Sequence, residues 1–560
     1  MTDLVRRLPV LLAALLAAVA LGACGGDDDD EGGQEGVSGE AKQGGSITIS
    51  QTSQPDFLDP ALSYTVNGWE PMWLVYAPLI GYKHAEGEEG TELIPYAAEA
   101  LPEVSEDGLT YAFKLREGLT YSDGTDAVAS DFEHTIQRVL NLESGGSSFY
   151  LVIEGAQEYV DGDDEEADIP GIETNDETGE ITITLTEPDG TFLNVLAMNF
   201  GGLVPGDTPF RNMTEDPPPG LGPYHITESV PNRQFVMEKN PNFAIPDVPE
   251  GNVDRITTRI IKSAQRQTQD VISGELDFMQ DPPPADLKPE VKQRYADRYE
   301  EAVTVSTYYF WMNQSIPPFD DPKTREAVNL GIDKPALARI FAGELQPGCS
   351  FLPPGMPGFS EELDVSGCPF GNPNEPPDLE AARAALEESD YDGETITVWT
   401  NNDDPSDRVG EAYADMLNQI GFETEINILD GGVYFQTIGN ERTDDLHTGF
   451  ANWFQDFPHP ANFMFLVDGA SIQPTNNQNF GNVDDPEIND LVSEAGQQPE
   501  LTDDVASQYE EANRQLVEEF HVAPYGHRKL ATFVSERMDF DNCTLFHPVY
   551  QNDYSSFCLK

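Results

Sequence analysis

Asp378-Leu379-Glu380-Ala381-Ala382-Arg383-Ala384-Ala385-Leu386-Glu387-Glu388, followed by Glu394-Thr395-Ile396-Thr397-Val398-Trp399, decides the fold class of this chain. In the first run, Asp378 is placed to cap a helix, and Leu379, Ala382 and Leu386 recur at the spacing that lines one helical face. The second run alternates and is β-branched, which reads as a strand. Residues 407–420, with Ala412, Met416, Leu417 and Ile420, predict another helix that Gly421 stops, and Glu423 to Leu429 alternates as a further strand. Strand, helix, strand is the order of a sheet with crossover helices. Outward from there, Pro322 and Asp333 mark two helix starts and Gly343 the end of the second, while Ser46–Ser50 and Ile181–Leu185 alternate as strands. The expected class is α/β, with mixed sheets and many loops.

The chain has 560 residues, enough for roughly two to four domains. At 38% hydrophobic it has the apolar content of a globular protein, despite 101 acidic residues against 30 basic ones and a net charge of −71. So few cations among so many anions exclude nucleic acid as a partner and disfavour an anionic membrane surface. Lysine occurs only 11 times, so the imbalance is as much missing lysine as added carboxylate. Two readings stay open, a protein of a saline exterior or a generic acidic exported one. Melting in rising salt, which screens self-repulsion, separates them.

At the N-terminus, Arg6 and Arg7 precede an apolar run from Leu8 to Ala20, closed by Leu21-Gly22-Ala23-Cys24. Residues 1–23 read as a secretory signal. The run is too short for a comfortable membrane span, which takes about 20 residues. The Leu-Gly-Ala-Cys ending resembles a bacterial lipobox, which makes Cys24 the expected lipid-attachment site. Residues 24–45 carry almost nothing apolar and are expected to form a disordered tether. Four further cysteines, Cys349, Cys368, Cys543 and Cys558, allow three connectivities. Sequence proximity favours Cys349–Cys368 and Cys543–Cys558, loops of about 16–20 residues that would each contribute ~3 kcal/mol. No pair has the close spacing of a zinc site, so no metal is expected.

Signatures of several chemistries are missing: Gly-x-Ser-x-Gly, His-Glu-x-x-His, a Walker phosphate loop and Gly-x-Gly-x-x-Gly. The eight histidines are scattered, and the acidic run Asp161–Glu166 lacks the ligand alternation of an EF-hand. No enzyme activity and no cofactor are therefore expected.

Several segments taken in order resemble the family 5 solute-binding proteins of ABC importers, the peptide- and nickel-binding group. They are Gly44-Gly45-Ser46-Ile47-Thr48-Ile49, Leu58-Asp59-Pro60, Tyr76-Ala77-Pro78-Leu79 and Leu93-Ile94-Pro95. Asp107-Gly108-Leu109-Thr110-Tyr111-Ala112-Phe113, Leu115-Arg116-Glu117-Gly118, Ser122-Asp123-Gly124, Gly222-Pro223-Tyr224, Lys239-Asn240-Pro241-Asn242-Phe243 and Gly274-Glu275-Leu276-Asp277 follow. Gly331-Ile332-Asp333-Lys334 continues the series in the second half. The resemblance implies a two-lobed, type II periplasmic-binding-protein-like fold with an extra domain inserted in lobe one. Lobe one would comprise 46–80, 185–295 and 525–560, the extra domain 81–184, and lobe two 296–524. It implies a monomer that captures a solute between its lobes, does no chemistry on it, and delivers it to the permease and ATPase subunits of a membrane importer.

Trp453-Phe454-Gln455-Asp456-Phe457-Pro458 resembles the family's Trp-x-x-Asp segment, whose carboxylate meets a peptide's α-ammonium. A desolvated cation needs such an opposite charge, and Trp453 offers a cation-tolerant face. Tyr64, Thr65 and Val66 fall where peptide binders offer backbone to an extended guest, which suits guests of varied sequence. Tyr525 is a further candidate for the wall of lobe one. Thr400 and Asn401 stand where some dipeptide binders carry an arginine for the guest's carboxylate, and Arg408 nearby is expected on the following helix. Alternative guests are an oligosaccharide, stacked on aromatic rings, or a nickel complex, for which no histidine stands in a matching motif. An exported hydrolase and a purely structural surface lipoprotein are the competing classes.

Overall fold

The computed structural model describes residues 42–560 apart from 143, 163, 166, 441, 442, 444 and 499. The signal 1–23, Cys24 and the tether as far as residue 41 lie outside the described residues.

The deciding segment folds as its pattern demands. Asp378 Oδ1 accepts the Glu380 and Ala381 amides at 3.2 and 3.0 Å and opens the helix Leu379–Glu387. The strands Thr395–Asn401 and Glu423–Leu429 run parallel, Thr395 opposite Glu423, joined by the helix Ser406–Ile420. That helix buries Val409, Tyr413, Met416, Leu417 and Ile420, each worth roughly 1.5–3 kcal/mol of transfer free energy. The helix Pro322–Gly331 begins behind the cap Asp321. Its last residue lies so close to Ile420 that a Cβ there would meet the Ile420 side chain at 2.2 Å, a contact that only glycine permits. Asp333 caps Lys334–Ile340, which ends two residues before Ala342 and Gly343 turn back in the left-handed region.

Among the described residues, ten strands form one continuous sheet path, with two more paired beside it. From one edge the path runs through Glu423–Leu429, Thr395–Asn401, Thr448–Phe454, Ser306–Met312 and Ala523–Val534. It continues through Phe278–Met279, Ser46–Gln51, Arg255–Ile260, Gln234–Lys239 and Tyr224–Val230. The strand Ala523–Val534 is the seam. Its start pairs with Ser306–Met312, and its end pairs with Phe278–Met279 and with Tyr299–Val303. Separate cores flank the seam, one around Phe310, Trp311, Val398 and Tyr413, another around Ile47, Ile49, Met237 and Phe278. A third core surrounds a separate four-stranded sheet of Glu103–Val104, Thr110–Lys114, Glu180–Thr184 and Ile172–Asn175.

Two expectations need correction. Tyr525 was expected on the wall of lobe one. It lies instead on the part of the seam that pairs with Ser306–Met312, sealed in the core of that half, with ring centroids 4.6 Å from Phe310 and 6.1 Å from Tyr308. Residues 42–45, expected to end the tether, are tied to the body. Lys42 Nζ donates to the Lys560 carbonyl, Gln43 to Asn252, Gly44 N–H to the Asn252 carbonyl and Gly45 N–H to Asp254. The cysteines pair as Cys349–Cys368 and Cys543–Cys558.

The family-like Leu58-Asp59-Pro60 segment turns out to carry a buried ion pair. Asp59 receives Arg138 in a two-pronged contact at 2.8 and 3.1 Å, both side chains being at most 1% exposed, and also accepts the Met213 amide at 3.0 Å. Arg138 stands on the helix Ser130–Asn141, so this pair clamps the loop before Tyr64 to the third core.

Candidate functional site

Asp456 follows the strand Thr448–Phe454, which pairs with Ser306–Met312 and sets Trp453 opposite Thr307. Asn462, at the start of the short helix Ala461–Met464, fixes the segment from the other side. Its Oδ1 accepts the Asp456 amide at 2.7 Å and the Trp453 indole N–H at 3.3 Å, and its Nδ2 donates to Asp456 Oδ2 at 3.0 Å. One amide thus orients both residues of the Trp-x-x-Asp segment.

The other partner of Asp456 comes from 392 residues away: Tyr64 Oη donates to Asp456 Oδ2 at 3.0 Å. Tyr64 is held by Asp56, whose carboxylate gathers the Tyr64 and Thr65 amides at 2.7 and 3.1 Å and the Thr65 hydroxyl at 2.9 Å. Behind it, a Cβ on Gly145 would meet the Tyr64 ring at 2.6 Å. The ring stacks with Trp69 at 5.8 Å and meets Phe200 and Trp453 edge-on at 5.1 and 5.9 Å, while Trp453 meets Phe465 at 5.3 Å. The result is a carboxylate set among aromatic rings drawn from both halves of the molecule.

Asp456 is 7% exposed, and no cationic side chain among the described residues pairs with it. Burial pushes its carboxyl up to about 7, against the pull of the Asn462 and Tyr64 hydrogen bonds. Both of those bonds reach Oδ2. Among the described residues, no hydrogen bond reaches Oδ1. The site therefore offers one anchored oxygen and one open oxygen to an incoming cation.

The backbone candidates divide. The Thr65 amide is engaged by Asp56, and its carbonyl accepts the Gly68 and Trp69 amides as the helix Val66–Val75 begins. The Tyr64 carbonyl and the Val66 amide meet no hydrogen bond among the described residues and remain open to an extended guest. At the other wall, Thr400 donates to the Ser406 carbonyl and Asn401 accepts the Asp403 amide, both internal to the chain. Arg408 is half-exposed and paired with Asp404 one helical turn away. Further contacts join the two halves: Gln455 Nε2 donates to the Pro548 carbonyl at 2.7 Å, and the Gly190 amide donates to Gly496 at 3.1 Å.

Asp56, Trp69, Phe200 and Asn462 belong to this constellation without having been predicted. Only Asn462 had a local signal, an amide six residues after Asp456. Elsewhere, a cavity of about 290 Å³ is lined by Gln43, His84, Asp553 and Ser555 among others and shares no residue with the Asp456 group. Ser555, His84 and Asp553 meet there, but His84 turns the same nitrogen, Nδ1, to Asp553 at 2.6 Å and Ser555 at 3.4 Å, and gives Nε2 to Tyr96. A nucleophilic relay needs the two nitrogens divided between serine and carboxylate, so this trio is built for buried polar satisfaction and not for hydrolysis.

Comparison with known proteins agrees with this geometry. The chain is 23% identical over 482 residues to the dipeptide-binding protein DppE of Bacillus subtilis (strain 168), covering 83% of this chain and 84% of that one. It is 28% identical over 335 residues to the glutathione-binding protein GsiB of Escherichia coli O1:K1 / APEC, covering 59% of this chain and 60% of that protein's length. Among solved structures, clavulanic acid biosynthesis oligopeptide binding protein 2 superposes with a TM-score of 0.80 at 26% identity, covering 92% of this chain and 96% of that one. The mixed α/β architecture is thus the two-lobed fold of the periplasmic peptide-binding proteins. The profile described as "Bacterial extracellular solute-binding proteins, family 5 Middle" matches residues 92–474, a span that holds the separate sheet, the Trp-x-x-Asp segment and most of both halves between them. With two thirds of its length inside that match, the chain belongs to family 5 of the bacterial extracellular solute-binding proteins.

Proposed function

We propose that this protein captures short peptides between its lobes and delivers them, unaltered, to the membrane subunits of an ABC importer. One observation carries the reading: among the described residues, Asp456 is a buried carboxylate without a counter-charge and with Oδ1 left open, inside a ring of aromatic side chains. A peptide's α-ammonium supplies the missing charge, since a desolvated ion needs a close opposite partner. Trp453 and Tyr64 wall the cation, while the Tyr64 carbonyl and the Val66 amide pair with the guest's first peptide units regardless of its side chains. The peptide-binding names of the relatives point the same way. Without an arginine at Thr400 or Asn401, the guest's carboxylate is left to water, which favours tolerance of length over a fixed dipeptide.

In this reading the lobes close by a hinge, and the Tyr64–Asp456 contact forms where they meet. Export by the 1–23 signal and lipid attachment at Cys24 keep the monomer beside its permease. Native mass spectrometry of the protein as purified tests the guest class. A retained mixture of peptides upholds the reading, whereas a single sugar or a nickel complex replaces it with another solute of the same architecture.

A further inference from the structure

Outside the cleft, three ligand-type side chains converge in the second half of the molecule. Asp485 caps the helix Pro486–Gly496, Glu519 ends the helix Asp503–Glu518, and His521 lies just before the seam strand. His521 is 7% exposed, and its Nε2 is buried with no hydrogen-bond partner. That nitrogen faces Glu519 Oε2 at 3.6 Å and Asp485 Oδ2 at 3.8 Å, both too long for hydrogen bonds, and the three ligand atoms lie within 4.8 Å of one another.

The orientation of the imidazole is fixed from behind. Gln314 Nε2 donates to the His521 backbone carbonyl at 3.0 Å, which settles the direction of that amide, and Gln314 Oε1 is left to receive His521 Nδ1–H at 2.9 Å. The proton therefore sits on Nδ1, and Nε2 points a lone pair at two carboxylates. Among the described residues no hydrogen bond reaches Nε2, and a lone pair facing two anions is repulsive until a cation enters. Carbonyl support of the far ring nitrogen is also how metal-binding histidines are held. Ligand atoms about 2.1 Å from a zinc-sized ion at near-tetrahedral angles stand about 3.4 Å apart, within a few tenths of an ångström of the two spacings from Nε2.

We propose that His521 Nε2, Asp485 Oδ2 and the Glu519 carboxylate form a binding site for a divalent transition-metal ion, with water completing the coordination on the exposed Glu519 side. Imidazole with two carboxylates suits zinc and its first-row neighbours, and the two anionic ligands neutralise the ion. Asp485 keeps its capping role, because Oδ1 alone accepts the Glu487 and Ile488 amides. Arg325 is the adverse charge nearby. Its Nε and Nη1 donate to the Phe520, Phe319 and Asp320 carbonyls, which holds the guanidinium in place, and its charge moderates the affinity. The bound ion would clip the ends of two helices to the start of the seam strand and, through Gln314, to the turn after Ser306–Met312. Sequence spacing concealed this site, since its ligands are 34 and 2 residues apart and belong to three elements.

The test is calorimetric titration of the full chain with zinc chloride in excess Mg²⁺, which occupies the general acidic surface, together with Co²⁺ as a visible-absorption probe. One zinc per chain is expected, with the d–d bands of a four-coordinate site. Glu519→Gln changes a half-exposed group that makes no hydrogen bond among the described residues, so the fold is kept, and it should weaken zinc at least tenfold. His521→Ala, checked by melting without metal, should abolish the saturable phase and the cobalt spectrum. Absence of a saturable 1:1 phase, or an affinity unmoved in either variant, overturns the site.

Discussion

Asp59 and Asp456 are both buried aspartates in family-like motifs, and they are built in opposite ways. Asp59 is closed on all sides: two nitrogens of Arg138 and the Met213 amide meet its oxygens, and neither ionic partner sees water. Asp456 has two neutral donors on one oxygen, no cation among the described residues, and a carboxyl pushed up to about 7 by burial. A structural carboxylate arrives with its counter-charge, whereas a receptor carboxylate is left waiting for one. The difference lies in the partners and not in depth, and it is why we propose Asp456 as the place where a charged guest completes the structure.

The comparison breaks most visibly at Asp59. Arg138→Met strands a buried anion and should cost ~3–5 kcal/mol in urea unfolding, with an unchanged slope. Asp456→Asn should not lower unfolding stability, and near neutral pH should raise it by removing a buried charge, yet should weaken peptide binding by ~2–4 kcal/mol in calorimetry. Unchanged affinity would remove Asp456 from the site.

Acidity sharpens the contrast. The folded Asp456 carboxyl holds its proton more tightly than the unfolded one, so its contribution makes the empty protein lose stability as pH rises from about 4 to about 7. A cationic guest reverses the preference and must expel that proton. Affinity should therefore climb about tenfold (~1.4 kcal/mol) per pH unit up to about 7, then level off until the guest's own amine titrates near 8. Asp456→Asn should flatten that slope. The smallest expected effect is that of Tyr64→Phe, which removes one hydrogen bond worth ~0.5–1.5 kcal/mol. Because that bond favours the carboxylate, its loss should also move the levelling-off point to higher pH.

What the sequence makes legible follows from how local each cause is. The segment from Asp378 to Leu429 could be read almost to the residue, because a cap, a helical face and two alternating runs lie within one stretch of chain. Trp453 and Asp456 were legible as a motif, but the partner they meet across the molecule was not. Tyr64 lies 392 residues from Asp456, and nothing near either one encodes the meeting. The same distance problem hid Arg138 behind Asp59, 79 residues away, whereas Asn462 lay within local reach, six residues after Asp456. Tyr525 was misplaced because its strand starts in one core and ends beside another, and strand pattern alone does not say which half claims which end.

That seam strand has a consequence for how the molecule can be divided. Since Ala523–Val534 completes the hydrogen-bond ladder on both sides, neither lobe can be cut free as a self-sufficient module. A truncated half would expose a bare strand edge of the kind that drives aggregation. The two halves are bound to evolve, and to be engineered, as one piece.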